Sequence, residues 1–275
     1  MTVKKLVLII TCIGALSLNS WANVNLSDSA LSEINSFMNL RMELSVFEEK
    51  ADALKKIDSY ENEHKFFYSN FTEEENLIME NLYLLERYNY MVENKEKHDF
   101  LKKGLFALVE KNEAFLKSAK DINNWLYVIS ADCISCYMYF DPVKGAMKYG
   151  TKLKEYYEKC LELNPDNSYC LSHLAQWYYW APGIAGGSKK KALSYFESAL
   201  EKAVSNSDKY YAYIFLSQMQ YDNGDKVSCE KNLSQAEKLM PASTFIKELK
   251  NLNAQGYSYF TGNKKKAEDE GLVSE

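Results

Sequence analysis

Residues 165–241 carry one two-helix pattern nearly three times in succession, and this repetition constrains the fold more than any other feature of the chain. The clearest copy runs from Tyr210 to Pro241, and a second copy begins at Ser168. Both copies place small and apolar residues at helical spacings: Leu171, Leu174, Ala175, Tyr178, Ala192, Phe196 and Ala199 in one, and Tyr213, Leu216, Ser217, Cys229, Leu233 and Ala236 in the other. Each hairpin leaves an apolar face that only a neighbouring hairpin can cover, so the pattern predicts a stack.

Helix signals extend beyond these copies over most of the chain. Helix-breaking residues are few, with 11 glycines and 4 prolines among 275 residues, and the remaining composition favours helices. Thr72 and Glu75 have the spacing of a capping box, and Asp141-Pro142 has the form of a helix start with proline in its first turn. We therefore predict an all-α protein of stacked antiparallel helix hairpins, with about 12 helices.

The chain divides into four predicted segments. The first 22 residues begin with a positive charge, continue with an apolar run and end with the small-residue site Ser20-Trp21-Ala22. This pattern is typical of a cleaved signal peptide and indicates a periplasmic or secreted protein. The final residues contain lysines followed by acidic and small residues, which predicts disorder. The segments are a signal peptide at 1–22, degenerate helix hairpins at 23–119, helical repeats at 120–260 and a disordered tail at 261–275.

Charge and residue spacing argue against several classes of function. Without residues 1–22 the chain has 31 basic and 38 acidic residues, a net charge of −7, which opposes nonspecific binding to nucleic acid. The histidines His64, His98 and His173 are far apart and lack the spacing of a zinc motif. Because nucleophile motifs and long apolar runs are also missing after residue 22, we predict a non-enzymatic protein with no metal, no cofactor and no transmembrane span in the mature chain.

The cysteines and one glycine-rich loop allow more than one interpretation. Cys133, Cys136, Cys160, Cys170 and Cys229 form an odd set, which is compatible with small core residues, with a structural disulfide or with redox chemistry at the Cys133/Cys136 pair. The loop at 183–188 precedes Lys189 as a phosphate-binding loop would, but Ser188 stands where that motif has its second glycine. We interpret this loop as a wide turn.

The repeat positions are those of the tetratricopeptide repeat, which the segment 165–241 resembles. In that family each hairpin has small residues where its two helices approach closely, and here Ala175 and Ser217 match the first helices. Ala192 and Cys229 match the second helices. The resemblance implies a superhelical stack whose concave face binds partners, usually extended peptides.

The chain also resembles a narrower group, the periplasmic repeat subunits associated with tripartite (TRAP-type) solute transporters. The resemblance rests on the combination of a signal peptide, divergent helical repeats and the Pro/Gly-rich loop at 181–188. That resemblance implies a ligand-accessible cleft and, as the alternative function, a solute-binding accessory subunit of a periplasmic transporter. Members of that group are lipoproteins. Here Ile9-Ile10-Thr11 precedes Cys12, where a lipid-attachment site needs a small residue, so we predict no lipid anchor.

Consecutive aromatic residues, Trp177-Tyr178-Tyr179-Trp180, end the first helix of one repeat. If Tyr178 packs in the seam between helices, the last two residues lie toward the concave face. The positions that match the partner-binding face of the family are Tyr169, Ser172, Gln176, Tyr179, Trp180, Tyr211, Ile214, Gln218 and Tyr221. This face has aromatics and amides without a cluster of basic residues, so we predict an exported binding or scaffold protein for a peptide or an envelope protein. Packing between repeats is the alternative role of each aromatic residue.

Overall fold

Twelve α-helices make up the computed structural model, which describes residues 25–65 and 67–269. They are α1 (Asp28–Leu44), α2 (Lys50–His64), α3 (Glu73–Met91), α4 (His98–Ser118), α5 (Asn124–Phe140), α6 (Pro142–Leu163), α7 (Ser168–Trp180), α8 (Lys189–Lys202), α9 (Asn206–Asp222), α10 (Lys226–Leu239), α11 (Thr244–Ala254) and α12 (Tyr259–Asp269). Short 3₁₀ turns lie at Phe67–Asn70, Lys95–Lys97 and Gly183–Ala185. From α2 onward each helix packs against the next one, as in a stack of helix hairpins, and these ranges contain no strand, which confirms the predicted all-α class.

Local hydrogen bonds explain where several helices begin. At the start of α3 the Glu75 N–H donates to Thr72 Oγ1 at 3.2 Å, and the Thr72 N–H donates to Glu75 Oε2 at 2.8 Å, which completes the predicted capping box. Ser205 and Asp208 form a second capping box at the start of α9. The helix α6 begins at Pro142, which needs no hydrogen-bond acceptor for an N–H in the first turn.

Small residues let the helices of the repeat region approach one another. Ala175, Ala192, Ala199, Ser217 and Ala236 are fully buried. The cysteines share this environment: Cys133, Cys160, Cys170 and Cys229 are buried, Cys136 is half-buried, and all of them are free thiols. Burial raises the pKa of Cys133, and it raises the pKa of Cys229 to about 11, so these thiols stay protonated and unreactive near neutral pH. Among the three interpretations, the structure supports small core residues.

The stack of hairpins closes on itself because α1 packs against both α3 and α9. The hydroxyl of Tyr211 in α9 donates to the carbonyl of Arg41 in α1 at 2.9 Å. Just past the end of α1, the Ser45 carbonyl accepts from the Thr244 N–H and from Thr244 Oγ1, both at 2.8 Å. Carbonyls in the last turn of a helix have no partner within that helix, and residues from the other end of the chain supply partners here.

The C-terminal segment differs from its sequence-based description. Residues expected to be disordered from 261 onward continue as α12 to Asp269, and Phe260 in its first turn is fully buried. Burial of the Phe260 ring stabilises the helix in this polar segment, and the composition of the segment does not reveal that contact. The end of the predicted tail, at 270–275, and the predicted signal peptide at 1–22 lie outside the described residues. Within the described ranges no helix combines the length and the hydrophobicity that crossing a membrane requires.

We predict that Glu75→Gln lowers the free energy of unfolding at pH 7 by about 1–2 kcal/mol. Burial opposes ionisation of Glu75, but N–H donors from Ser27 at 2.6 Å and Thr72 at 2.8 Å outweigh it and hold the pKa of Glu75 below its usual value. A lowered pKa in the folded state stabilises the protein above the unfolded-state pKa, about 4.3, and this stabilisation is lost as the pH falls through the folded-state pKa.

The measurement is urea unfolding of wild type and Glu75→Gln between pH 7 and pH 3. The difference between the two proteins should be largest at neutral pH and shrink in acid. Glu73→Gln is the matched control, because Glu73 lies in the same helical turn and is exposed. A constant difference across this pH range would contradict the assignment.

Candidate functional site

The residues predicted to line the concave face lie on α7 and α9, which pack against each other. Their exposure varies widely: Ser172, Ile214 and Gln218 are buried, Tyr169, Gln176, Tyr179, Tyr211 and Tyr221 are half-buried, and Trp180 is 45% exposed. The structure therefore brings these residues onto neighbouring helices. Much of the surface that they form is covered by other parts of the same chain.

One covering group is Arg41 of α1, which sequence reasoning missed. Its guanidinium carbon lies 5.4 Å from the ring centroid of Tyr169 and 5.2 Å from that of Tyr211. Its Nε donates to Glu86 Oε2 of α3 at 2.7 Å. Burial opposes the charge of Arg41, but the carboxylate of Glu86 together with the phenol groups of Tyr169 and Tyr211 outweighs burial, and the pKa of Arg41 is raised. A single cation of α1 thus contacts three other helices, α3, α7 and α9, and two of the predicted aromatic residues.

A second buried group is centred on Asp132 of α5. Its Oδ1 accepts from the Tyr157 hydroxyl at 2.7 Å and its Oδ2 accepts from the Tyr169 hydroxyl at 2.7 Å. The Nδ1 of His173 lies 2.7 Å from Oδ1, and the His173 ring stacks on Tyr169 with centroids 4.1 Å apart. These contacts tie α5 to α6 and α7. We call Asp132, Tyr157, Tyr169 and His173 the Asp132 network.

Chemically, the Asp132 network is a set of donors around one acceptor. Burial, and after it the proximity of Asp132, raises the pKa of Tyr157 and of Tyr169 far above the usual value. Both phenols therefore remain protonated at neutral pH and donate hydrogen bonds. A tyrosine in this state is a poor nucleophile and a poor base, so the raised values here reflect structure rather than activation for catalysis.

The C-terminal helices cover the other end of the predicted face. The ring of Phe260 in α12 stacks on Tyr179 with centroids 4.4 Å apart and an interplanar angle of 29°. The buried side-chain oxygen of Gln218 accepts from the Tyr259 N–H at 2.8 Å. Tyr221 donates its hydroxyl hydrogen to the Asn253 carbonyl of α11. The predicted partner-binding residues of this region are thus already in contact with a helix.

Trp180 and the loop that follows it remain accessible. Ile184 is fully exposed in the 3₁₀ turn Gly183–Ala185, and the Ser188 N–H donates to the Tyr178 carbonyl at 2.8 Å across the base of the loop. Gly187 is required here, because a Cβ at this position would lie 1.7 Å from the Ala181 carbonyl oxygen. Gly187 thus serves the conformation of the turn, which is the role that the sequence interpretation gave to this loop.

Other regions of the described surface offer weaker candidates for a site. A groove of about 290 Å³ lies between α2, α3 and α4, but its charged residues already pair across it, with Arg87 on Glu61 at 2.6 Å and Lys111 on Glu80. The described residues contain no group of three or more His, Cys, Asp or Glu side chains placed to hold a metal ion.

Comparison with known proteins gives no independent assignment: the sequence matches no family model, and no curated protein matches it.

We predict that Arg41→Ala destabilises the fold by about 3–5 kcal/mol, because it leaves the carboxylate of Glu86, 3% exposed, buried without its cation. The double variant Arg41→Met/Glu86→Leu should recover most of this loss, since it removes both charges and keeps apolar volume. Urea unfolding of the three proteins measures the effect.

Lys111→Ala provides the control for loss of a surface ion pair. The Lys111–Glu80 pair is about half exposed on both sides, so its removal should cost no more than about 1 kcal/mol. If Arg41→Ala has an equally small effect, the buried pair does not hold the ring closed.

Proposed function

We propose that this protein is an exported helical-repeat binding protein that holds a peptide or an envelope protein on the inner face of α7 and α9. Export rests on the sequence pattern of residues 1–22. One observation carries the binding proposal: this face already holds a helix of its own chain by aromatic stacking and a hydrogen bond to a buried amide. A surface with these two kinds of contact suits the apolar side of a peptide.

Residual accessibility indicates where such a partner makes its first contact. Trp180 stands at the edge of the face, and Ile184 projects from the adjoining loop. Large exposed apolar side chains of this kind are frequent anchors in protein interfaces. Tyr179 also contacts Trp180, with ring centroids 5.1 Å apart, so the exposed edge is continuous with the covered part of the face.

A second function, solute binding as an accessory subunit of a transporter, is favoured by a different observation. Arg41, Glu86 and the Asp132 network place charges and aromatic rings at the inner side of a closed ring of helices. A polar solute that displaced the present partners of these groups would find both kinds of contact there. Native mass spectrometry of protein isolated from the envelope separates the two functions, because a bound solute adds a small discrete mass and a protein partner adds a whole chain.

We predict that a photoreactive amino acid at position 180 forms cross-links to a partner in the native envelope, whereas the same group at position 227 does not. Val227 is 81% exposed on α10 and is the matched control for an accessible apolar position away from the inner face. Equal cross-linking at both positions would contradict the proposed face.

The substitution Trp180→Ala should weaken capture of the cross-linked partner by roughly 30-fold, which corresponds to an interface residue worth about 2 kcal/mol. Because Trp180 is only partly covered, this variant should retain its helical circular dichroism spectrum. Tyr179 and Tyr211 are less suitable for this test, since they also hold α12 and α1 in place. Undiminished capture by folded Trp180→Ala would argue against the site.

A further inference from the structure

We propose that α12 occupies the seat of the partner, and that the partner presents a helix with two adjacent aromatic residues followed by lysines, as α12 itself does. This inference rests on the proposed binding function and adds the chemistry of the ligand. In α12 the pattern is Tyr259-Phe260 followed by Lys264-Lys265-Lys266. Binding of such a segment requires α12 to leave.

The first contact is a socket for one aromatic ring. Phe260 is fully buried, and its ring lies 4.4 Å from the ring of Tyr179, 5.8 Å from that of Phe196 and 6.2 Å from that of Trp180. These residues come from α7 and α8. The socket is therefore built by the repeat hairpin itself and receives a ring from a segment more than fifty residues away in the chain.

The second contact fixes the start of the docked helix. Gln218 of α9 is fully buried, and its side-chain oxygen accepts from the Tyr259 N–H at 2.8 Å. N–H groups in the first turn of a helix lack partners within that helix, so a buried acceptor at this point selects a helix start. The ring centroid of Tyr259 lies 5.9 Å from that of Phe215 in α9 and 6.0 Å from that of Phe245 in α11, so the second aromatic residue packs against rings of these two helices.

Beyond this first turn, the side chains of α12 at positions 263–266 lie on the surface. Lys264, Lys265 and Lys266 are exposed, and Lys266 pairs with Glu93 of the loop after α3, where both side chains are about half exposed. Such a pair contributes at most about 1 kcal/mol. An isolated helix of 11 residues is marginal in water, so α12 depends on its two aromatic contacts and on its covalent connection.

The connection to α11 permits release without disturbing the stack. Gly256 has a φ of 91°, a left-handed conformation that ends α11 and turns the chain toward α12. The hairpins from α7 to α11 contribute their own buried residues, including Leu174, Phe196, Ile214, Leu233 and Leu249. Departure of α12 would expose the Phe260 socket and Trp180 together and would create one continuous binding face.

The experiment uses the full chain carrying Phe260→Ala and a fluorescent synthetic peptide of residues 257–269. The variant should bind the peptide with anisotropy changes at micromolar concentration, and wild type should bind at least tenfold more weakly because its own helix fills the seat. A peptide with alanine in place of Phe260 is the control and should not bind. Equal affinity of wild type and Phe260→Ala, or no binding to a folded Phe260→Ala, would overturn the inference.

Hydrogen exchange of the wild-type chain keeps the inference testable if Phe260→Ala fails to fold. Amides of α12 should exchange at least a hundredfold faster than those of α9, which shows that α12 opens without global unfolding. Exchange of both helices at the global unfolding rate would overturn it. Failure of either test, with retained cross-linking at position 180, would reject α12 as a template and leave the proposed binding function standing.

Discussion

The buried ion pair between Arg41 and Glu86 is the interaction on which the closed form of the molecule depends. It joins α1 to α3, and through its aromatic contacts it also joins α1 to α7 and α9. Two buried charges are costly to remove from water, and their attraction compensates for that cost only when the geometry is well defined. The pair therefore specifies where α1 lies, and this position determines how much of the inner face stays open.

Closure changes the role of the tyrosines on the inner face. A tyrosine ring offers apolar area and its hydroxyl needs a polar partner, so an inner face rich in tyrosine can pack against a neighbouring helix or against a ligand. In this chain Tyr169 and Tyr211 serve closure, because both rings contact the Arg41 guanidinium and the Tyr211 hydroxyl donates to the Arg41 carbonyl. Tyr179 serves the docking of α12. The exposed edge at Trp180 is what remains for first contact with a partner.

The two ends of the chain cover the face in different ways. The contact of α1 includes a buried charge pair and backbone carbonyls, so opening it would leave unsatisfied groups inside the protein. The contact of α12 consists mainly of two aromatic side chains and one amide, beyond which residues 263–266 are polar and exposed. Helix α1 therefore closes the ring of helices permanently, whereas α12 is the element that can be exchanged for a partner.

Sequence patterns by themselves determined the helical class, the hairpin stacking and many helix starts. These features depend on residues three or four positions apart, as in the capping box of Thr72 and Glu75 or the buried pair Ala192 and Phe196. The same local patterns predicted disorder from residue 261, because the composition of a polar segment does not reveal a contact with residues far away in the chain. The tertiary structure alone decided the contact of Arg41 with Tyr211 and that of Phe260 with Tyr179. Each joins residues far apart in the chain, and such pairs leave no periodic trace in the sequence.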